Sequence, residues 1–405
     1  MKILVQKFGG TSVESYEKMN EVCKIVKNYK KDKDLKLVLV VSAMGRKGAP
    51  YATDTLISLC NNINENPNKR ELDAIMSCGE IISGTILTSM LNSQNIESVF
   101  LTGSQAGIIT NEEFSNSKIL DINPKRILKE LEENKVVVIA GFQGVSESGE
   151  ITTLGRGGSD TSAVAIGKAL KCNKVEIYTD VDGIMTADPR VEPNAKLLKS
   201  IDYEEVFQMA DQGSKVIHPR AVQLAKSENI TLVIKNTLNQ DCEGTKISLD
   251  GNSKNECECF ENDYNCTTSI AHKDKITQVE IKCSEDIFIN IINEISKNNI
   301  SIDMINLFID EKVFVVDEKD IDKLKIILEQ FKVKYILNKD CAKVTLICSK
   351  INGIPGVMAR VLSALSKENI SLLQTSDSTI TISCLVKKED MKKAVNAIHS
   401  EFYKI

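Results

Sequence analysis

The sequence predicts an α/β protein: a mostly parallel sheet covered by helices, followed by a smaller, duplicated α+β tail. Three observations carry this. Apolar runs alternate with helical patterns through residues 1–248. A polar stretch without periodicity follows at Asp250–Cys266. Beyond it a short string recurs at an offset of 70 residues, SKNNIS at Ser296–Ser301 and SKENIS at Ser366–Ser371.

Lys2–Phe8 reads as the first strand and ends on two glycines. Met19, Val22, Cys23, Val26 and Tyr29 then recur at helical spacing. Leu35–Val41, Val136–Ala140, Lys174–Thr179 and Ile230–Lys235 are continuous apolar runs, as expected of strands buried on both faces. Glu71–Leu91 is helical, with Glu80 inside it. The β-α alternation argues for a parallel sheet sandwiched by helices, giving a first domain over 1–248. Residues 249–266 read as a linker. Its Cys257, Cys259 and Cys266 lack the paired Cys-x-x-Cys spacing of structural zinc sites, so no metal is expected there. EKDIDKLK from Glu318 and KKEDMKKA from Lys387 echo at an offset of 69 and strengthen the repeat. Two units follow, 267–338 and 339–405, each read as strand-helix-strand-strand-helix-strand.

Bulk properties exclude several classes. A net charge of −5, sparse aromatics and no Trp leave neither a basic footprint nor a stacking surface for nucleic acid. No unbroken apolar run reaches the ~18–20 residues of a membrane span. The start, MKILVQKFGG, has too short an apolar stretch for a signal peptide and reads as structure. The expectation is a cytoplasmic protein whose twelve cysteines are reduced.

No G-x-x-x-x-G-K-[ST] loop, protein-kinase motif set, H-E-x-x-H or G-x-S-x-G is present. Glycine-rich loops at strand ends remain. Lys7-Phe8-Gly9-Gly10-Thr11-Ser12 closes the first strand and is expected to open a helix. Glycines there let backbone approach a phosphate, with Lys7 beside the transferring group. Thr153–Asp160 places three glycines around Arg156 before a helical run, a good anion site in which Arg156 can clamp a carboxylate. Tyr178–Arg190, dense in turn formers, follows a buried strand and suits a nucleotide base and ribose.

These loops, in this order, resemble the amino-acid kinase superfamily, and most closely the aspartate kinases. The resemblance spans the chain: KFGGTSV at Lys7–Val13, SAMG at Ser42–Gly45, GE at Gly79–Glu80, TGSQAG at Thr102–Gly107, GFQG at Gly141–Gly144, TTLGRGGSD at Thr152–Asp160, YTDVDGIMTADPR at Tyr178–Arg190 and GSKVIHPRA at Gly213–Ala221. The tail is similar to the paired ACT domains that follow the kinase in that family. The implied fold is an amino-acid-kinase fold followed by two ACT-type βαββαβ domains. The implied reaction moves the γ-phosphoryl group of ATP, as its Mg²⁺ complex, to the β-carboxylate of L-aspartate. It is the first step toward lysine, threonine, methionine and diaminopimelate.

The resemblance implies Lys7, Glu80 and Asp160 as catalytic residues. It places ATP against Lys7, Phe8, Gly9, Gly10, Ser42, Thr179, Asp180, Met185, Asp188, Arg190, Lys215 and Val216. It places aspartate against Thr53, Glu80, Phe142, Gln143, Arg156, Gly157, Gly158 and Ser159, with Arg156 on the α-carboxylate and Glu80 on the α-ammonium. An amino-acid effector (diaminopimelate, lysine or threonine) is expected at Asn352-Gly353-Ile354-Pro355-Gly356-Val357. The corresponding turn of the first repeat, Lys282-Cys-Ser-Glu-Asp, lacks that Pro-Gly pattern. A homodimer or larger homo-oligomer is implied, and the tail's end at Ile405 implies a monofunctional kinase. Two other readings remain: a related kinase for another carboxylate, such as glutamate, and a catalytically silent amino-acid-binding regulator.

Overall fold

The structure is a computed structural model and describes residues 1–214, 216–249, 251, 267–349, 351 and 354–403. The chain forms two compact units. The first comprises Met1–Ile184, Leu197–Ala210 and Lys215–Asn255; the second comprises Met185–Lys196, Asp211–Ser214 and Glu256–Ile405. The division is therefore not the single cut near residue 248 that the composition suggests. Two short segments from within 1–248 fold with the tail.

The first unit begins with β1 (Lys2–Phe8), α1 (Tyr16–Tyr29), β2 (Leu35–Val41), α2 (Thr53–Asn61), α3 (Lys69–Ser93) and β3 (Ser98–Leu101). It continues through β4 (Ile108–Thr110), β5 (Ile119–Ile122), α4 (Lys125–Glu132), β6 (Val136–Ala140), β7 (Gln143–Ser146), β8 (Ile151–Thr153) and α5 (Gly158–Ala169). Then come β9 (Lys174–Thr179), β10 (Ser200–Ile201), α6 (Tyr203–Asp211), α7 (Pro219–Ser227), β11 (Thr231–Asn236) and β12 (Thr245–Ile247). The main sheet runs β10-β12-β11-β9-β1-β2-β6-β3, and only the β11–β12 pair is antiparallel. The apolar runs are its central strands, and Val136–Ala140 is buried throughout, because helices cover both faces. A second, four-stranded sheet runs β5-β4-β7-β8.

Among the described residues α3 alone matches a membrane span in length and hydropathy. More than half of that stretch is buried in the protein, and its Asp73 and Glu80 are buried as well, so it is a core helix.

The second unit holds β13 (Thr267–Lys282), α8 (Glu285–Lys297), β14 (Ile302–Leu307), β15 (Lys312–Asp317), α9 (Ile321–Gln330), β16 (Lys334–Cys348), α10 (Val357–Lys367), β17 (Gln374–Asp377), β18 (Thr381–Lys387) and α11 (Met391–Phe402). One six-stranded sheet, β14-β15-β13-β16-β18-β17, serves both repeats. The first repeat closes as expected, with Ile276–Lys282 of β13 paired to β15 and to the start of β16. The second differs: no strand follows α11 among the described residues. The place beside the end of β16 is taken by the start of β13, up to Lys273. The second repeat thus draws its last strand from ahead of the first, and register shifts in β13 near Lys273–Gln278 mark the crossover. Each repeat keeps its own core: Phe288, Ile291, Phe314 and Leu324 in one, and Val361, Leu365, Val395 and Ile398 in the other.

Candidate active site

β1 delivers Lys7 to the end of the central sheet, where its Nζ lies 2.7 Å from Asp160 Oδ1. Both side chains are nearly buried, so each charge depends on the other. The turn after β1 is tighter than expected. Gly10–Ser12 is a single 3₁₀ turn, and the α-helix begins only at Tyr16, capped by Ser15. The Gly10 carbonyl accepts from Gly45 N–H, and a Cβ on Gly10 would stand 2.7 Å from the Ala43 carbonyl oxygen. The Phe8–Gly10 turn is therefore packed directly on the Ser42–Gly45 loop. The helix N-terminus in this site is that of α5, not of the first loop.

Glu80 projects from α3 and is almost fully buried. Its Oε1 accepts the Ala43 N–H at 2.8 Å, while Oε2 is buried without a partner among the described residues. Burial pushes its pKa up to about 8, against the pull of the Ala43 N–H and the Lys7 charge. A carboxylate held this way is half-satisfied and will accept a cation. Ser42, in the same loop as Ala43, is fixed through its carbonyl by the Ser83 hydroxyl at 2.7 Å.

The Thr153–Asp160 loop joins β8 to α5. Gly157 is the N-cap of α5 with φ +69°, and a Cβ there would fall 2.0 Å from the His218 ring, so glycine is required on two counts. Gly158, Ser159 and Asp160 form the buried first turn of α5. Arg156 is exposed and forms no ion pair with the described residues, which leaves its guanidinium available. Phe142 holds a left-handed φ of +67°, and its N–H donates to the Ser162 hydroxyl at 3.1 Å. Such a backbone in a non-glycine residue is strained and is common at working sites. Gln143 is buried, and its amide nitrogen is committed to the Ser77 carbonyl at 2.8 Å. Thr53 is half-buried at the start of α2.

On the expected nucleotide side, Thr179 ends β9 and its hydroxyl donates to Asp180 at 3.1 Å. Asp180 also takes Arg46 at 2.6 Å. Val216 is half-buried, and Lys215 lies outside the described residues. Met185, Asp188 and Arg190 belong to the second unit. There Asp188 receives the Arg190 N–H, Nε and Nη2, and the Arg190 bonds hold its carboxyl below the usual range. In the expected effector turn, Asn352 and Gly353 lie outside the described residues. Ile354 and Pro355 lead to Gly356, the N-cap of α10 at φ +87°, and to the buried Val357. No group of three or more His, Cys, Asp or Glu suited to a metal occurs among the described residues.

Three residues escaped the sequence reading. Asp73 of α3 is fully buried and accepts from the N–H and hydroxyl of both Ser115 and Thr153, tying α3 to the substrate loop. Arg46 meets Asp180. His218, N-cap of α7, lies against Gly157, and burial lowers its pKa. The His-Pro pair at a helix start was the one available signal for His218.

The amino acid kinase family model matches residues 2–236 and an ACT domain model matches 336–400. Aspartokinase 1 of Bacillus subtilis is 40% identical over 99% of both chains. The chain belongs to the aspartokinases of the amino acid kinase family. Another aspartokinase relative, the aspartate kinase of Pseudomonas putida, is 36% identical over 99% of this chain and 98% of its own. Escherichia coli aspartokinase III, solved in complex with aspartate and ADP, has the same fold: TM-score 0.80 at 23% identity, over the whole of both chains. A second structure of that aspartokinase, with lysine and aspartate, gives a TM-score of 0.74 at 24% identity over 99% of this chain and all of the other.

Proposed function

We infer that the chain transfers the γ-phosphoryl group of ATP to the β-carboxylate of L-aspartate, giving 4-phospho-L-aspartate, and that an end-product amino acid regulates it. The observation that carries this reading is the Lys7–Asp160 pair at 2.7 Å with the half-satisfied Glu80 beside it. A carboxylate is nucleophilic at neutral pH, so the reaction needs no general base. Its difficulty is that an anion must approach a polyanion. Lys7 supplies positive charge where the phosphoryl group transfers, and Asp160 is the positioning residue that aims it. The α5 N-terminus and Arg156 add positive character for the α-carboxylate. The unpartnered Oε2 of Glu80 takes the α-ammonium. ATP enters as its Mg²⁺ complex, the ion travelling with the nucleotide and offsetting phosphate charge. Cytoplasmic location follows from that substrate pair.

The effector reading rests on the difference between the repeats. α8 opens with Glu285 and Asp286, which repel a carboxylate, whereas the first turn of α10 after Gly356 has no acidic residue. That difference supports diaminopimelate, lysine or threonine at the turn before α10, expected over residues 352–357. An acyl phosphate is trapped by hydroxylamine as a hydroxamate. With ATP and Mg²⁺, the protein should form hydroxamate from aspartate and little from glutamate. Preference for glutamate points to the related-kinase reading, and no product from either points to the silent regulator.

A further inference from the structure

We propose that His399 is a positioning residue for the turn at Asp188–Arg190, acting through Thr186. The proposal rests on the nucleotide role given above to that turn. Met185–Lys196 lies, by sequence, in the middle of the catalytic region, yet it folds with the second unit. Its attachments there are specific. The Thr186 carbonyl accepts the Ile270 N–H of β13 at 2.7 Å. The Thr186 N–H donates to the Lys196 carbonyl, and its hydroxyl oxygen accepts the Lys196 N–H, both at 2.9 Å, closing the segment into a loop. That same hydroxyl oxygen lies 3.0 Å from Nε2 of His399 on α11. Ala187 is buried in the core of the second repeat with Val395 and Ile398. Two residues after Thr186, Asp188 grips Arg190.

His399 is a buried residue of α11. Its ring is fully buried and stacked on Tyr403, with centroids 4.6 Å apart. Thr186 is its one polar ring partner among the described residues, and Nδ1 has none. Burying an imidazole for a single hydrogen bond is costly, and it is retained where that bond fixes something. What it fixes is the height of the loop on α11. α11 packs on α10, whose first residue follows Gly356, so the turn expected to meet nucleotide is built on the helix pair that opens at the effector turn.

The test is ATP affinity of the full-length protein, measured directly by calorimetry without turnover, alongside the KM for aspartate and the melting temperature. Thr186→Val keeps the shape and removes the hydroxyl; Thr186→Ser restores it. The expected result is ATP binding weakened roughly five- to tenfold in Thr186→Val, which loses the hydroxyl's bonds to His399 and to the Lys196 N–H. Thr186→Ser should bind ATP as wild type does, and aspartate KM should not move in either. His399→Leu should reproduce the Val result, and it carries the test if Thr186→Val does not fold. Unchanged ATP affinity in the folded variants would overturn the proposal, as would ATP and aspartate weakening together. Wild-type protein that binds ATP but forms no aspartyl hydroxamate defeats the aspartate reading and leaves this one standing on the binding data.

Discussion

Lys7, Glu80 and Arg156 each present a charge in a different state, and each state predicts a different defect. Lys7 is held by Asp160, so its charge is aimed before substrate arrives. Lys7→Ala should lower kcat on the order of 10²–10³-fold, equivalent to ~3–4 kcal/mol of transition-state stabilisation, with aspartate KM much less affected. Steady-state kinetics on a folded variant checks this. Glu80 is protonated in the free protein below about pH 8, yet an ammonium requires it ionised. Apparent aspartate affinity should therefore rise with pH and level off above about 8, and Glu80→Gln should bind weakly with that rise abolished. A wild-type KM that is flat across this range contradicts the assignment. Arg156 has no ion-pair partner among the described residues, so Arg156→Lys keeps charge and sacrifices the planar fork; aspartate KM should rise while ATP KM stays nearly constant. Lys7 and Arg156 stand out in one dimension because glycine-rich loops frame them, and Glu80 because it lies in the Gly79–Glu80 pair of the family resemblance. Asp73 does not, because its partners Ser115 and Thr153 stand 42 and 80 residues away.

Elements were legible where one force dominates. Double burial wrote β1, β2, β6 and β9 into the sequence as apolar runs, and their bounds match the expected ones residue for residue. The echo SKNNIS/SKENIS has a more local meaning than duplication. Asn299 and Asn369 are left-handed residues ending α8 and α10, each followed by a buried Ile whose N–H reaches back to a carbonyl five residues earlier. Asn229, in KSENIT, does the same after α7 in the first unit. The string is a helix stop signal, and the true evidence of duplication is the shared sheet. The 3₁₀ turn at Gly10–Ser12 was not legible, since it depends on contact with the Ser42–Gly45 loop. Asp73 is the tie between α3 and β8. Asp73→Ala would strand four buried or part-buried donors and should lower the melting temperature by roughly 2–10 °C. It should also impair aspartate use, since the substrate loop begins at Thr153; a thermal melt paired with aspartate KM checks both effects.

For the molecule as a whole, the two-unit organisation was visible as a composition shift, but its interleaving was not. Strand pairing between Thr267–Lys273 and the end of β16 joins residues some 70–80 positions apart, beyond any local pattern. The same holds for Met185–Lys196, whose sequence reads as part of the catalytic region and whose packing lies elsewhere. Assembly is expected from the sheet edge. Ile305, Leu307, Phe308 and Ile309 are exposed along and just after β14, an edge strand that a second copy would cover. Sedimentation should show at least a dimer, and Leu307→Asp with Ile309→Asp should shift it toward monomer; a monomeric wild type contradicts this. Feedback control should appear in a panel of lysine, threonine, methionine and diaminopimelate, alone and paired. The central claim, phosphorylation of aspartate on its β-carboxylate, is tested most directly by reducing the acyl phosphate with borohydride. Reaction at the β-carboxylate predicts homoserine as the reduced amino acid, dependent on ATP and lost in Lys7→Ala. Reduction at the α-carboxyl group instead, giving 3-amino-4-hydroxybutanoate, or no reduced product from active, folded protein, would contradict it.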